Sequence, residues 1–259
     1  MPIRRLLRAL FPPGYTFLTW PSLVTFVILW ELASWLWSGW PSLLRHVLPV
    51  LGTDLADPEF RQALCGSARR MAIGYSLVML IGIGGGILLG RLPLIDQLLG
   101  SFAVALHAIP GAAWVPLSIL WFGMTEQAVI FTVLLGAAGI VMVETDTGIR
   151  EVPPLIRRAA RTMGARGVHY FWFVVVPAAI PKVVNGLRLA WAFGWRALMA
   201  GELLTSVSGL GQRLNQVAKT QQMDRLLALM LLIAAIGILV DGLVFKRLEH
   251  EVRVRWGLA

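Results

Sequence analysis

Residues 70–90 read RMAIGYSLVMLIGIGGGILLG and carry no charge beyond Arg70. An apolar run of about 20 residues is long enough to cross the hydrocarbon core of a bilayer as an α-helix. Lipid offers the backbone no hydrogen-bonding partner, so only helices and closed barrels span it, and this run is continuous rather than alternating. The stretch therefore predicts a transmembrane helix. Gly82, Gly86 and Gly90 recur every four residues, which predicts a face that another helix approaches closely.

Similar apolar runs recur along the chain. The 259 residues are 57% hydrophobic and 14% charged, whereas a soluble domain carries about 25% charged residues. We therefore predict an all-α integral membrane protein with about six transmembrane helices, forming a single domain over residues 1–259. Pro110 and Pro116 predict a kink or break in the third span. The six predicted spans are residues 20–39, 70–90, 97–122, 126–146, 184–206 and 226–245.

The distribution of basic residues predicts an orientation. With the N-terminus inside, the segments facing the cytoplasm hold 14 Lys and Arg residues and the outer segments hold 7. Cytoplasmic loops are the ones enriched in Lys and Arg, so we expect both termini and the long segment 147–183 to be cytoplasmic. This bias explains the net charge of +9, and no nucleic-acid partner is predicted.

Within that segment, residues 153–165 read PPLIRRAARTMGA and predict a short amphipathic helix. Pro153 and Pro154 suit a helix start and Gly164 suits a helix stop. The helix could rest on lipid headgroups or dock a cytoplasmic partner, and the small alanines favour close packing in a protein groove. The apolar face holds Leu155, Ile156, Ala159, Ala160 and Met163, and the opposite face holds Arg157, Arg158 and Arg161.

The same segment resembles the cytoplasmic loop of bacterial ABC importer permeases, whose pattern is E-A-A-x-x-x-G-x(9)-I-x-L-P. Here Arg158-Ala159-Ala160 is followed by Gly164 and then by Val174-x-Val176-Pro177, with every spacing kept. Valines replace Ile and Leu. Arg158 replaces the usual Glu, so the partner charge that this Glu meets must differ here.

The resemblance extends over about residues 55–250. AIPGAAWVPLSILWFGMTEQAVIF (108–131), GLRLAWAFGWRALMAGELL (186–204) and SGLGQRL (208–214) are similar to segments of the nitrate/sulfonate/taurine-type permeases. The resemblance implies a type I importer permease fold in the bacterial inner membrane. It also implies a small polar solute that is nitrate-, sulfonate- or taurine-like, or thiamine-precursor-like.

The family resemblance further implies the partners. They are cytoplasmic ABC ATPase subunits that bind ATP and Mg, a second permease copy, an extracytoplasmic solute-binding protein and membrane lipid. The chain has no G-x-x-x-x-G-K-[ST] loop, so we expect ATP to be bound by another polypeptide. We also expect no cofactor in this chain, no metal site and no enzymatic activity of its own. Pro177 is expected to set the turn back to the membrane. The residues implied for ATPase coupling are Arg157, Arg158, Ala159, Ala160, Arg161, Met163, Gly164 and Pro177.

Polar residues inside spans tend to face a cavity or a partner. The candidates for the translocation pathway are His107, Glu144, Arg196 and Glu202. Arg196 and Glu202 are six positions apart and do not share a helix face, so each needs another partner or water. Glu144 stands where relatives commonly have Asn. It either selects a substrate with a cationic or donor-rich group or pairs with a basic residue near the cytoplasmic mouth.

Three other charges inside spans have simpler interpretations. Glu31 and Asp241 are predicted to pair with neighbouring helices, and Arg188 is predicted to extend toward the interface. Two other functions compete with the importer. An ion-coupled secondary transporter would work through buried acids without an ATPase. A membrane enzyme would need a convergent catalytic set, whereas the histidines are scattered at His46, His107, His169 and His250.

Overall fold

The computed structural model describes residues 20–37 and 40–256, and all the regular structure in them is helical, as predicted. The basic N-terminal residues 1–19 lie outside the described residues. The helices are α1 (Trp20–Leu36), α2 (Leu48–Ala56), α3 (Pro58–Arg91), α4 (Pro93–Ala108), α5 (Val115–Phe122), α6 (Glu126–Arg150), α7 (Pro154–Thr162), α8 (Gly167–Tyr170), α9 (Val176–Leu204), α10 (Leu210–Lys219), α11 (Met223–Val240) and α12 (Lys246–Arg255).

Short turns of other helix types join some of these elements. A 3₁₀ turn, Gly111–Trp114, precedes α5. A π-helical turn, Phe171–Val175, makes α8 and α9 one continuous helix of 38 residues, Gly167–Leu204. A second π turn, Asp241–Phe245, joins α11 to α12 in the same way.

Within the described residues, four helices are long and apolar enough to cross a membrane: α3, α6, Gly167–Leu204 and Met223–Arg255. The pair α4 and α5 makes a fifth crossing if it is one span. Helix α1 is apolar but only 17 residues long, short of the roughly 20 that a span needs. The protein is a multi-pass membrane protein, and six spans are reached only if α1 and the α4–α5 pair both cross.

The centre of the fold is the packing of α6 against α3 and α9. The glycine face predicted on α3 lies against α6, with the two helices running parallel. A Cβ added to Gly86 would lie 2.5 Å from Thr145 Cβ and 2.6 Å from the carbonyl oxygen of Met142. Side chains at these positions would therefore force the helices apart. Gly82, Gly86 and Gly90 face Val141, Thr145 and Ile149 in turn.

The break predicted in the third span is present, and α4 and α5 meet at 106°. Pro110 precedes the 3₁₀ turn, whereas Pro116 lies in the first turn of α5, where its missing N–H does no harm. The turn packs on α6 and α9 through small residues, since Gly111 and Gly136 both lie against Ala197.

Two predicted charge pairings can be compared with the structure. Asp241 pairs with α9, as expected, because Arg188 Nε lies 2.7 Å from Asp241 Oδ1. Arg188 also binds Glu249 at 2.9 Å, so its guanidinium joins α9 to α12, and its extension toward the interface stays a prediction. Glu31 pairs with the segment after α1, accepting hydrogen bonds from the Ser42 hydroxyl and the Leu44 amide.

Candidate functional site

Helix α7 begins and ends where the sequence predicts. Pro153 is the N-cap and Pro154 opens the helix. Gly164 adopts φ +86°, the left-handed conformation that ends helices. The Gly164 amide donates to the Arg161 carbonyl at 3.1 Å, and the next amide donates to the Ala160 carbonyl at 3.0 Å. This pair of bonds is a Schellman motif, so the length of α7 is fixed by its own backbone.

The apolar face of α7 is mostly uncovered. Leu155 is 78% exposed and Met163 is 87% exposed, and Ile156 is exposed as well. Only Ala160 of this helix is buried. An apolar helix face outside the core calls for a partner surface or lipid.

The three arginines of α7 do not share one role. Arg157 folds back on α6, and its Nη2 donates to the carbonyls of Ile149 at 2.9 Å and Arg150 at 2.7 Å. Arg157 thus lies on the predicted polar face, but its guanidinium binds the end of α6 rather than solvent. Arg161 lies over the ring of Tyr170, and Arg158 is exposed.

The chain does not turn back at Pro177, contrary to expectation. It turns at Gly164 and Gly167, the latter with φ +57°. Pro177 lies inside the continuous helix formed by α8 and α9. The π turn just before it uses i to i−5 bonds, such as Val176 N–H to the Phe171 carbonyl, and so accommodates a proline that lacks an N–H.

The ends of α3, α4 and α6 meet near α7 at Arg150. Its Nε lies 2.6 Å from Asp146 Oδ1, and its Nη2 lies 2.8 Å from Asp96 Oδ1 on α4. The same nitrogen donates to the Leu89 carbonyl of α3 at 3.2 Å. One guanidinium therefore holds three helices together at this end of the protein.

Two predicted pathway residues come together at one aromatic ring. His107 on α4 lies edge-on to Phe193 on α9, with ring centroids 5.6 Å apart. The Arg196 guanidinium lies over the same ring, 4.9 Å from its centroid. Arg196 is exposed, and no carboxylate in the described chain forms an ion pair with it. An unpaired cation in the middle of a span favours water or an anion beside it.

Glu144 lies apart from this pair, at the contact between α6 and α9. Its Oε2 accepts a hydrogen bond from the Asn185 amide at 3.3 Å, and its Cβ packs on Gly186. The partner that the structure gives it is therefore an amide rather than the basic residue considered from the sequence. A half-buried carboxylate with an amide partner keeps acceptor capacity for a ligand.

Glu202 is fully buried and belongs to a closed polar cluster. It forms an ion pair with Arg70, itself 1% exposed, at 3.1 Å. It also accepts hydrogen bonds from the Ser67 hydroxyl at 2.8 Å and the Gly211 amide at 3.0 Å. Arg70 in turn donates to the Ser208 carbonyl. In this structure Glu202 therefore ties α3, α9 and the start of α10 together and reaches no open surface.

Sequence reasoning missed several of these partners. Arg70 looked like a charge flanking a span, and Phe193 and Asn185 looked like ordinary residues of α9. One signal pointed to Arg70: Glu202 needed a partner other than Arg196, and Arg70 is a charge on the first turns of an apolar run.

Residues 82–253 match the family described as "Binding-protein-dependent transport system inner membrane component". The chain is 30% identical to the taurine transport system permease protein TauC of Escherichia coli, over 77% of this chain and 73% of TauC. It is 27% identical to the nitrate import permease protein NrtB of Leptolyngbya laminosa, over 86% of this chain and 84% of NrtB. It also shares the fold of a chain in an inward-facing MetNI methionine ABC transporter structure, with TM-score 0.63 and 18% identity over 75% of this chain and 96% of that one.

Proposed function

The chain belongs to the family of binding-protein-dependent transport system inner membrane components, and we propose that α7 is where a cytoplasmic ATPase drives it. It is a permease subunit of an ABC importer. In the proposal, a solute-binding protein delivers substrate from outside, two copies of the chain enclose one pathway, and ATP and Mg are bound by the separate ATPase.

The observation that carries the docking proposal is the uncovered apolar face of α7. Its two ends are fixed by prolines and by the Schellman motif at Gly164, so the helix presents a rigid surface. Leu155 and Met163 at its two ends are among the most exposed apolar side chains. Burying such side chains in a groove contributes about 1.5–3 kcal/mol each. The charge bias of the sequence supports a cytoplasmic position for this helix.

Capture of an ABC ATPase from the same genome tests this docking. The purified chain is expected to capture the ATPase, and Leu155→Asp and Met163→Glu are each expected to lose most of the captured ATPase. Val254→Glu is the matched control, because Val254 is also an exposed apolar residue, on α12. Equal capture by all four proteins would refute docking through α7. Uptake that needs no ATPase would instead support the ion-coupled transporter.

The substrate proposal concerns the face that carries Arg196 and His107. The unpaired Arg196 guanidinium, oriented by Phe193, suits an oxyanion such as a sulfonate. Glu144, held by an amide, suits an ammonium or another donor group. Arg196 and Asn185, the partner of Glu144, are 11 positions apart on α9, about 16 Å along the helix, so a small solute would meet the two groups one after the other. A cation and a carboxylate along one pathway favour an amino-sulfonate over nitrate.

Uptake of taurine and of ethanesulfonate, which lacks the amine, tests the assignment. Arg196→Gln is expected to lower uptake of both, whereas Glu144→Gln is expected to lower taurine uptake selectively. Arg213→Gln removes an arginine of α10, which is not one of the membrane-crossing helices, and serves as the control. An unchanged ratio of taurine to ethanesulfonate uptake in Glu144→Gln would exclude the role of Glu144.

A further inference from the structure

The joint between α6 and α7 is short and lightly packed. Residues 151–153 connect the two helices, and Val152 among them is buried against Phe171 and Val175. Beyond the joint, Ala160 is the only buried residue of α7. Packing alone therefore fixes the angle between α7 and α6 weakly, because few apolar side chains resist a rotation of α7.

Arg157 supplies the missing constraint. Its guanidinium binds the carbonyls of Ile149 and Arg150, at the end of α6 where carbonyls lack helical partners. The negative end of the α6 dipole also favours a cation there. Two bonds from one planar group fix direction as well as distance. The side chain therefore holds α7 at one orientation to α6.

Arg150 extends the connection beyond α6. Arg157 binds the Arg150 carbonyl, and the Arg150 side chain in turn binds Asp96 on α4 and the Leu89 carbonyl on α3. A cavity of about 480 Å³ lies beside this contact between α4 and α6, lined by Asp96, Ser101, Val143 and Asp146 among others. The end of α4 is therefore held to α6 by the ion pair where packing is incomplete.

We propose that Arg157 is a positioning residue that transmits movement of α7 into α6, and that Arg150 passes the movement to α4. The proposal rests on α7 being the ATPase-docking helix. Asp96 lies in the first turn of α4 and His107 in its last turn, so a displacement of the Asp96 end of the helix reaches the candidate pathway. Without Arg157, rotation at residues 151–153 absorbs the movement before it reaches α6.

The test uses one fluorescent reporter at a time in the full chain, bound to its ATPase. Cys65, the only cysteine in the sequence, is first replaced by serine. A cysteine at exposed Thr162 reports on α7, and a cysteine at exposed Leu98 reports on α4. The signal is the change in quenching by iodide when a non-hydrolysable ATP analogue with Mg²⁺ is added.

In the parent chain both reporters are expected to respond. In Arg157→Met the α7 reporter keeps its response and the α4 response falls about tenfold, within the usual range of coupling between sites. Arg255→Met removes an exposed arginine of α12, outside the residues implied for ATPase coupling, and should leave both responses intact. If Arg157→Met does not fold, Arg157→Gln is compared with Arg255→Gln, because the glutamine side chain is uncharged and two atoms shorter, so it cannot reach the two α6 carbonyls as Arg157 Nη2 does.

Two results would overturn the relay. One is a full α4 response in the Arg157 variant. The other is a loss of both responses while the ATPase remains bound, which would place Arg157 in the docking surface itself. Failure of the parent chain to bind any ATPase is a different outcome, because it refutes the docking role of α7 on which the relay depends.

Discussion

The glycine face between α3 and α6 allows a matched pair of substitutions. Gly86→Ala puts a methyl group 2.5 Å from Thr145 Cβ and 2.6 Å from the Met142 carbonyl oxygen, whereas carbon atoms prefer about 3.5–4.0 Å. Gly84→Ala, half a turn away, meets nothing within 4 Å. Both changes gain the same helix propensity, about 1 kcal/mol. Their difference therefore isolates the contact between the two helices.

We expect Gly86→Ala to be less stable than Gly84→Ala by about 1–3 kcal/mol, the usual cost of an extra methyl in a packed interior. At about 2–4 °C per kcal/mol, the melting temperatures should differ by roughly 2–12 °C. The assay is the loss of monodisperse protein on heating in detergent, followed by size-exclusion chromatography. Equal melting temperatures would refute the argument, because they would mean that α3 and α6 separate at no cost.

Three further changes probe other contacts. Glu202→Leu leaves buried Arg70 with only the longer contact to Glu126, 3.5 Å from its Nη1, and should cost about 3–5 kcal/mol in thermal melts, and adding Arg70→Met should recover most of it. Gly164→Val forces a branched side chain into φ +86°, a cost of about 1–2 kcal/mol, and should reduce ATPase capture where Gly164→Asn keeps it. Arg188→Met removes hydrogen bonds to two carboxylates, worth about 1.5–3 kcal/mol each, and should make α12 more sensitive to protease while α7 is unaffected.

The features that the sequence predicted are those that depend on local spacing. Small residues every four positions define one face of a helix wherever the partner lies, and Gly82 and Gly86 show this. Pro110 marks the break before α5, and Gly164 ends α7 through the left-handed conformation it alone adopts freely. Each of these signals acts within one or two turns of the chain.

The features that escaped prediction depend on the angles between helices. Arg157 falls on the polar face of α7 in a helical projection, and it reaches α6 only because the joint brings the two helices together. Arg70 and Glu202 are 132 positions apart, so no local pattern pairs them. Pro177 resembles a helix boundary, but the π turn ahead of it shifts the hydrogen bonds and lets the helix continue.

The pairing of Arg70 with Glu202 has a consequence for how the protein is made. Ribosomes add about 5–20 residues per second, so Arg70 enters the membrane roughly 7–26 s before its partner is synthesised, across the 132 residues between them. During that interval a charge that later has 1% exposure must be solvated elsewhere. Its place in α3 at the end of the polar first turns, just before the apolar run, lets it stay at the water boundary during that interval. Arrival of α9 then withdraws it from water, which makes the insertion of α9 the step that completes the core.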